Sequence, residues 1–254
     1  MGQIFRADMR RAIRSWQLSA TALAFCVMLF LSEVEATLSA MCSEDMLAFG
    51  FHGKIVFDAL SSDAVLLTLP ILCALPYGAA YIEDIKTGFV KLYISRTSRR
   101  RYVLGKLAGC LLSGGLVPVV GTLLAYFVSA LVFAPLEGPP SEGSEAATYF
   151  WDILAACGRF FLSGGFWSFL GMTLSSQMES RYIAYASPFV FYYLLVIMQE
   201  RYFSFLYVLN PEGWLWPGDE WVYGAWSSAA IVLELIVITA LLFAAAVKRR
   251  IAEL

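Results

Sequence analysis

Residues 107–133 contain no charged side chain. A helix of that length is roughly 40 Å long, more than the ~30 Å hydrocarbon core of a bilayer. Backbone N–H and C=O groups in lipid have no water to pair with, so a chain carrying such a run must satisfy them inside helices. Further apolar runs at 17–32, 64–81, 149–175, 182–198 and 222–247 are of similar character. Of the 254 residues, 59% are hydrophobic and 15% charged, whereas soluble domains run about 45–50% and about 25%. Six crossings use up the chain and exclude a self-contained water-soluble enzyme. The expected fold is all-α: a single transmembrane domain over 1–254, with six spanning helices and an amphipathic N-terminal helix.

The net charge of −2 names no nucleic-acid partner, but its distribution sets an orientation. With the N-terminus inside, 15 of the 18 basic residues fall on the inner side: those before the first span, those in 82–106, Arg181 and the Lys248-Arg249-Arg250 run. Lys54 and Arg201 lie outside, and Arg159 within a span. Outer segments carry Glu33, Glu35, Glu44, Asp45, Glu137, Glu142, Glu145, Asp219 and Glu220. Both termini are therefore expected on the cytoplasmic side of a bacterial inner membrane.

Arg6, Arg10, Arg11 and Arg14 before the first run imitate the basic start of a signal peptide, but five more apolar runs follow, so a retained helix is expected. Leu38 to Cys42 only approximates a lipobox, because Met41 precedes the cysteine, and Arg6 stands where a myristoylation signal wants Ser or Thr. Within 3–16, Phe5, Met9, Ala12, Ile13 and Trp16 share one helical face and Arg6, Arg10 and Arg14 the other. Such a helix lies along the bilayer surface, its arginines toward anionic headgroups or serving topology alone. The five cysteines are scattered singly and make no metal pair, and the one histidine, His52, leaves His-based triads and multi-His metal sites without material.

The tetrapeptide Leu-Ser-Gly-Gly occurs at 112–115 and 162–165. No GxxxxGK[ST] phosphate loop accompanies it, so these small residues read as close-packing positions between membrane helices rather than a nucleotide signature. Arg159 and Glu234 are the most deeply placed charges, each about ten residues, or roughly 15 Å, from the outer end of its run. A lone charge there costs roughly 2.5 to 3.5 kcal/mol. The two are therefore expected to pair between the fourth and sixth helices, as a clamp or as a polar element of a substrate path. Pro188 is expected to kink the fifth helix, its freed carbonyl satisfied by neighbours, and 199–221 is too aromatic for a plain loop and too broken for a crossing: a re-entrant segment or an interfacial belt.

Segment 82–106 carries seven basic residues, more than a connector needs. Ile85, Phe89 and Leu92 fall on one face of a short amphipathic helix, and Ser95 to Arg101 read as a basic turn. Glu83, Gly88, Lys91, the run Ser95-Arg96-Thr97-Ser98-Arg99, Tyr102 and Gly105-Lys106 resemble the pattern between the second and third helices of ABC-2 type transporter permeases. Six helices and cytoplasmic termini extend that resemblance along the chain, although Thr97 departs from a proline many members have nearby. The resemblance implies a permease subunit of an ATP-driven exporter that is not itself an enzyme. Glu83, Gly88, Phe89, Lys91, Arg96, Arg99 and Lys106 would couple it to separate ATPase subunits. ATP and Mg would be held by that partner, no cofactor by this chain, and a second permease copy or paralogue would complete the complex in the bilayer. The competing expectation is an ion-coupled secondary transporter using Glu234, though the two halves of the chain show no self-similarity.

Overall fold

The computed structural model describes residues 9–43, 46–88, 90, 99–139 and 146–253. The described residues form helices and connecting turns, and Leu47 and Glu137 make an isolated β-bridge. We number the helices α1 (Trp16–Ser32), α2 (Val34–Cys42), α3 (Phe51–Leu60), α4 (Asp63–Ala74), α5 (Ala80–Lys86), α6 (Arg99–Phe133), α7 (Ala146–Met178), α8 (Arg181–Ile197), α9 (Pro211–Leu215) and α10 (Ala225–Glu253). Five stretches among them are long and apolar enough to cross a membrane: Met9–Ser32, Arg100–Leu136, Tyr149–Met178, Arg181–Tyr202 and Ala225–Arg250. The chain has the build of a multi-pass membrane protein.

The sixth expected crossing, 64–81, is not one straight helix. α3 and α4 are bent by 70° at Ser61-Ser62 and together make either a broken span or a re-entrant hairpin. α4 has 12 residues, about 18 Å of rise, too short to cross alone. It ends in the turn 75–79, where Pro76 supplies no amide donor, and α5 follows. The stretch 33–63, between the first two apolar runs, contains α2 and α3, and α3 buries Ile55, Val56, Ala59 and Leu60.

Near the N-terminus, residues 9–13 are helical and the chain breaks at Arg14 and Ser15. Ser15 caps α1 by accepting from the Leu18 amide at 3.2 Å, which satisfies an otherwise unpaired donor. Residues 1–8, with Phe5 and Arg6 of the expected interfacial helix, lie outside the described residues.

α7 is the central helix, two-thirds buried through its apolar stretch, and α8 the most exposed of the five. The largest contact joins α6 to α7, and the two Leu-Ser-Gly-Gly motifs meet there. A Cβ on Gly114 would lie 2.7 Å from the Gly164 carbonyl oxygen, and one on Gly164 would lie 2.6 Å from that of Gly114. Only glycine lets these backbones approach so closely. This is how membrane helices gain contact where lipid removes the hydrophobic drive. Pro188 lies inside α8 and leaves the Ala184 carbonyl without its usual donor. That carbonyl faces Gly171 on α7, where an added Cβ would lie 2.3 Å away.

At one end of the bundle Glu137, barely exposed, accepts from the amides of Gly50 and His52 at 2.9 Å each, and His52 Nδ1 lies 2.7 Å from its Oε1. The carboxylate thereby caps the N-terminus of α3, where helix geometry favours negative charge. Burial alone would raise the Glu137 carboxyl, but these hydrogen bonds and His52 hold it below its ordinary value.

Candidate functional site

The opposite end of the bundle gathers the basic segments. Arg250 on α10 pairs with Glu179 just beyond α7. The Ser175 hydroxyl reaches the Gly78 carbonyl at 3.5 Å, and Tyr81 on α5 packs edge-on against Phe243 of α10. At this end Asp84 of α5 is 3% exposed and surrounded by donors. Lys106 Nζ lies 2.6 Å from its Oδ2, the Tyr102 hydroxyl donates to the same oxygen at 3.2 Å, and Arg11 Nη1 donates to Oδ1 at 3.0 Å. Lys106 also donates to the Tyr77 hydroxyl at 3.3 Å and sits 5.2 Å from that ring's centroid.

The local sequence accounts for this knot. Tyr102 and Lys106 stand one helical turn apart on α6 and face the same side. α5 is too short to bury both acids, so Asp84 points inward while Glu83 stays near the surface, 4.0 Å from Arg11 Nη2. A buried carboxylate needs a full set of donors to remain charged. Two elements supply them, the N-terminal segment and the start of α6.

Among the residues expected to contact a partner, the structure separates surface from core. Lys106 is 0% exposed, so it holds the knot and offers nothing to another chain. Glu83 is at the surface. The amphipathic helix expected through Ile85, Phe89 and Leu92 is interrupted. α5 stops at Lys86, and Gly88 takes φ +73, the left-handed conformation that ends helices and that glycine adopts without strain. The expected basic turn is shortened at its far side, since residues 99–101 already belong to α6. Phe89, Lys91 and Arg96 lie outside the described residues, and of Arg99 only the helical backbone is described.

Arg159 and Glu234 do not pair; no ion pair within 4.0 Å joins them. Arg159 Nε instead donates to the Leu215 carbonyl at 2.6 Å, and its guanidinium lies 5.2 Å from the Trp216 ring centroid. Leu215 closes the five-residue α9, so its carbonyl has no helical donor and a cation suits it. Glu234 is exposed on α10 beside exposed Leu233, Val237 and Ile238. Equal depth predicted the pairing, but depth says nothing about which way a helix face turns.

The aromatic stretch 199–221 divides in two. Trp214 stacks on Trp167 of α7 at 5.9 Å between centroids and meets Phe166 edge-on. Trp216 Nε1 donates to the Leu60 carbonyl at 3.4 Å, and its ring packs on Phe57 and Phe160. Tyr202, Phe203 and Phe205 remain exposed, as do Tyr223 and Trp226 just beyond the stretch. Two broken elements, α3 and α9, thus converge over Arg159. The sequence signal of α9 was Asn210-Pro211, a cap followed by a first-turn proline.

Among the described residues, no group of three or more His, Cys, Asp or Glu is placed to hold a metal ion. No protein-family model matches the chain, and no curated protein matches it.

Proposed function

We propose that this chain is the membrane-spanning subunit of an ATP-driven exporter, coupled through 82–106 to separate ATPase subunits and working beside a second permease copy or paralogue. The observation that carries the reading is the Asp84 knot. Segment 87–98 leaves from α5 and returns into α6, and donors on α6 and on the N-terminal segment hold the same α5 carboxylate. A connector that serves only topology needs no such anchorage. A connector that transmits force does, because slack at its ends would absorb the displacement. In this reading the knot lies on the cytoplasmic side, both termini with it, and the α3–α4 pair counts as the second crossing.

Glu234 supports a second membrane chain. It lies about 14 Å along α10 from Ala225, on an outward apolar face where lipid penalises it by roughly 2.5 to 3.5 kcal/mol. A neighbouring chain that supplies a donor removes that cost. A proton carrier in a secondary transporter would instead face an interior path.

Reconstitution with its ATPase tests the proposal. ATP turnover is expected only when both proteins are present, and Asp84→Asn paired with Lys106→Met is expected to cut stimulated turnover at least about tenfold while the protein stays inserted. Export driven by an ion gradient without any ATPase overturns it.

A further inference from the structure

A cleft of about 480 Å³ opens between the end of α7 and the last turns of α10, within the roughly 300–1,000 Å³ of small-molecule sites. Leu242, Ala245 and Ala246 form one wall, inside the candidate span Ala225–Arg250. Ser176, Gln177, Glu179, Arg249 and Arg250 form the other. The charges there divide unequally. Arg250 is committed inside the protein, since it pairs with Glu179 and its Nη1 donates to the Ser176 carbonyl at 3.3 Å, capping α7. Glu179 is held at φ +57, the one non-glycine residue among those described with positive φ, which aims its carboxylate at Arg250. Arg249 has no ion-pair partner within 4.0 Å among the described residues and stands exposed at the rim, next to Lys248.

We infer that this cleft binds the phosphate headgroup of an anionic phospholipid, with the first part of an acyl chain along Leu242 and Ala245. Two cations, Arg249 and Arg250, against the one carboxylate of Glu179 leave a positive rim, and basic pockets between membrane helices select anionic headgroups. The apolar wall decides between a lipid and a free anion, because a phosphate from water has no use for a surface that faces hydrocarbon. The choline or ethanolamine of a zwitterionic lipid would bring a cation against Arg249. The inference is independent of the exporter reading, since it requires only that α10 span a bilayer.

The test uses the full-length protein in detergent, with lipid retention read by native mass spectrometry and thermal stability read alongside. Phosphatidylglycerol is expected to be retained and to raise the melting temperature, and phosphatidylcholine with the same chains is not. Arg249→Gln is expected to weaken retention about fivefold, Arg249→Lys to restore most of it, and Ala245→Trp, which obstructs the apolar wall and leaves every charge, to weaken it as well. Equal retention of the two lipids, or phosphatidylglycerol retention unchanged in both Arg249→Gln and Ala245→Trp, overturns the inference. So does equal protection by glycerol phosphate alone, which would make the site one for a free anion.

Discussion

Asp84 and Lys106 are worth more to each other than either is to the fold. Removing one partner of a buried ion pair leaves the other uncompensated, typically at 3–5 kcal/mol, whereas replacing both with apolar groups of similar volume is often close to neutral. Lys106→Met alone and Asp84→Leu alone are therefore expected to lower stability by roughly 3–5 kcal/mol each, with the double variant far above the sum; denaturation of the detergent-solubilised protein measures it. The opposite holds for Arg159 and Glu234. Arg159 is engaged by Leu215 and Trp216, and Glu234 faces outward. Their alanine variants are expected to be additive within about 0.5 kcal/mol in a double-mutant cycle, and a larger coupling would show that the two charges do meet.

The elements differ in how firmly their ends are held, and α3 depends on a residue far along the chain. Its N-terminus is capped by Glu137, whose carboxyl is held below the ordinary 4.5 by the bonds that make the cap. The sign follows from linkage. A group with a depressed folded value contributes stability that is complete above the unfolded value and fades as pH falls through the folded one. Thermal melts are expected to show wild type losing stability below about pH 4.5, with Glu137→Gln less stable at neutral pH and flatter across the acid range. Equal acid slopes would remove Glu137 from the account. The cap also marks where sequence reading stops. α6, α7 and α10 announce themselves, because long apolar runs have one solution in lipid. α3 does not, because its Ile55-Val56 and Ala59-Leu60 face is interleaved with Lys54, Asp58 and Ser61, and its cap lies 85 positions away. Asp84 was masked for a related reason: Glu83 and Asp84 are adjacent and chemically alike, and only the packing of a seven-residue helix decides which turns inward. Arg159 was recognisable as a deep charge, but its acceptor is a backbone carbonyl that no side-chain pattern announces.

At the scale of the molecule, orientation has a reporter already in place. Cys42 at the end of α2 is exposed, and Cys26, Cys73, Cys110 and Cys157 are buried. An impermeant thiol reagent is expected to label intact cells at Cys42 alone, and Cys42→Ser to silence the signal. Labelling confined to inverted vesicles would reverse the proposed orientation. The anchorage around Asp84 has a further consequence for the integrity of the chain. A protease cut between residues 91 and 98 would sever the polypeptide, yet the two fragments would still be joined through the Asp84 carboxylate and the packing of α4 against α6 and α7. A nicked protein of this kind would migrate as one particle until denatured, and its halves, expressed separately, would be able to find each other again.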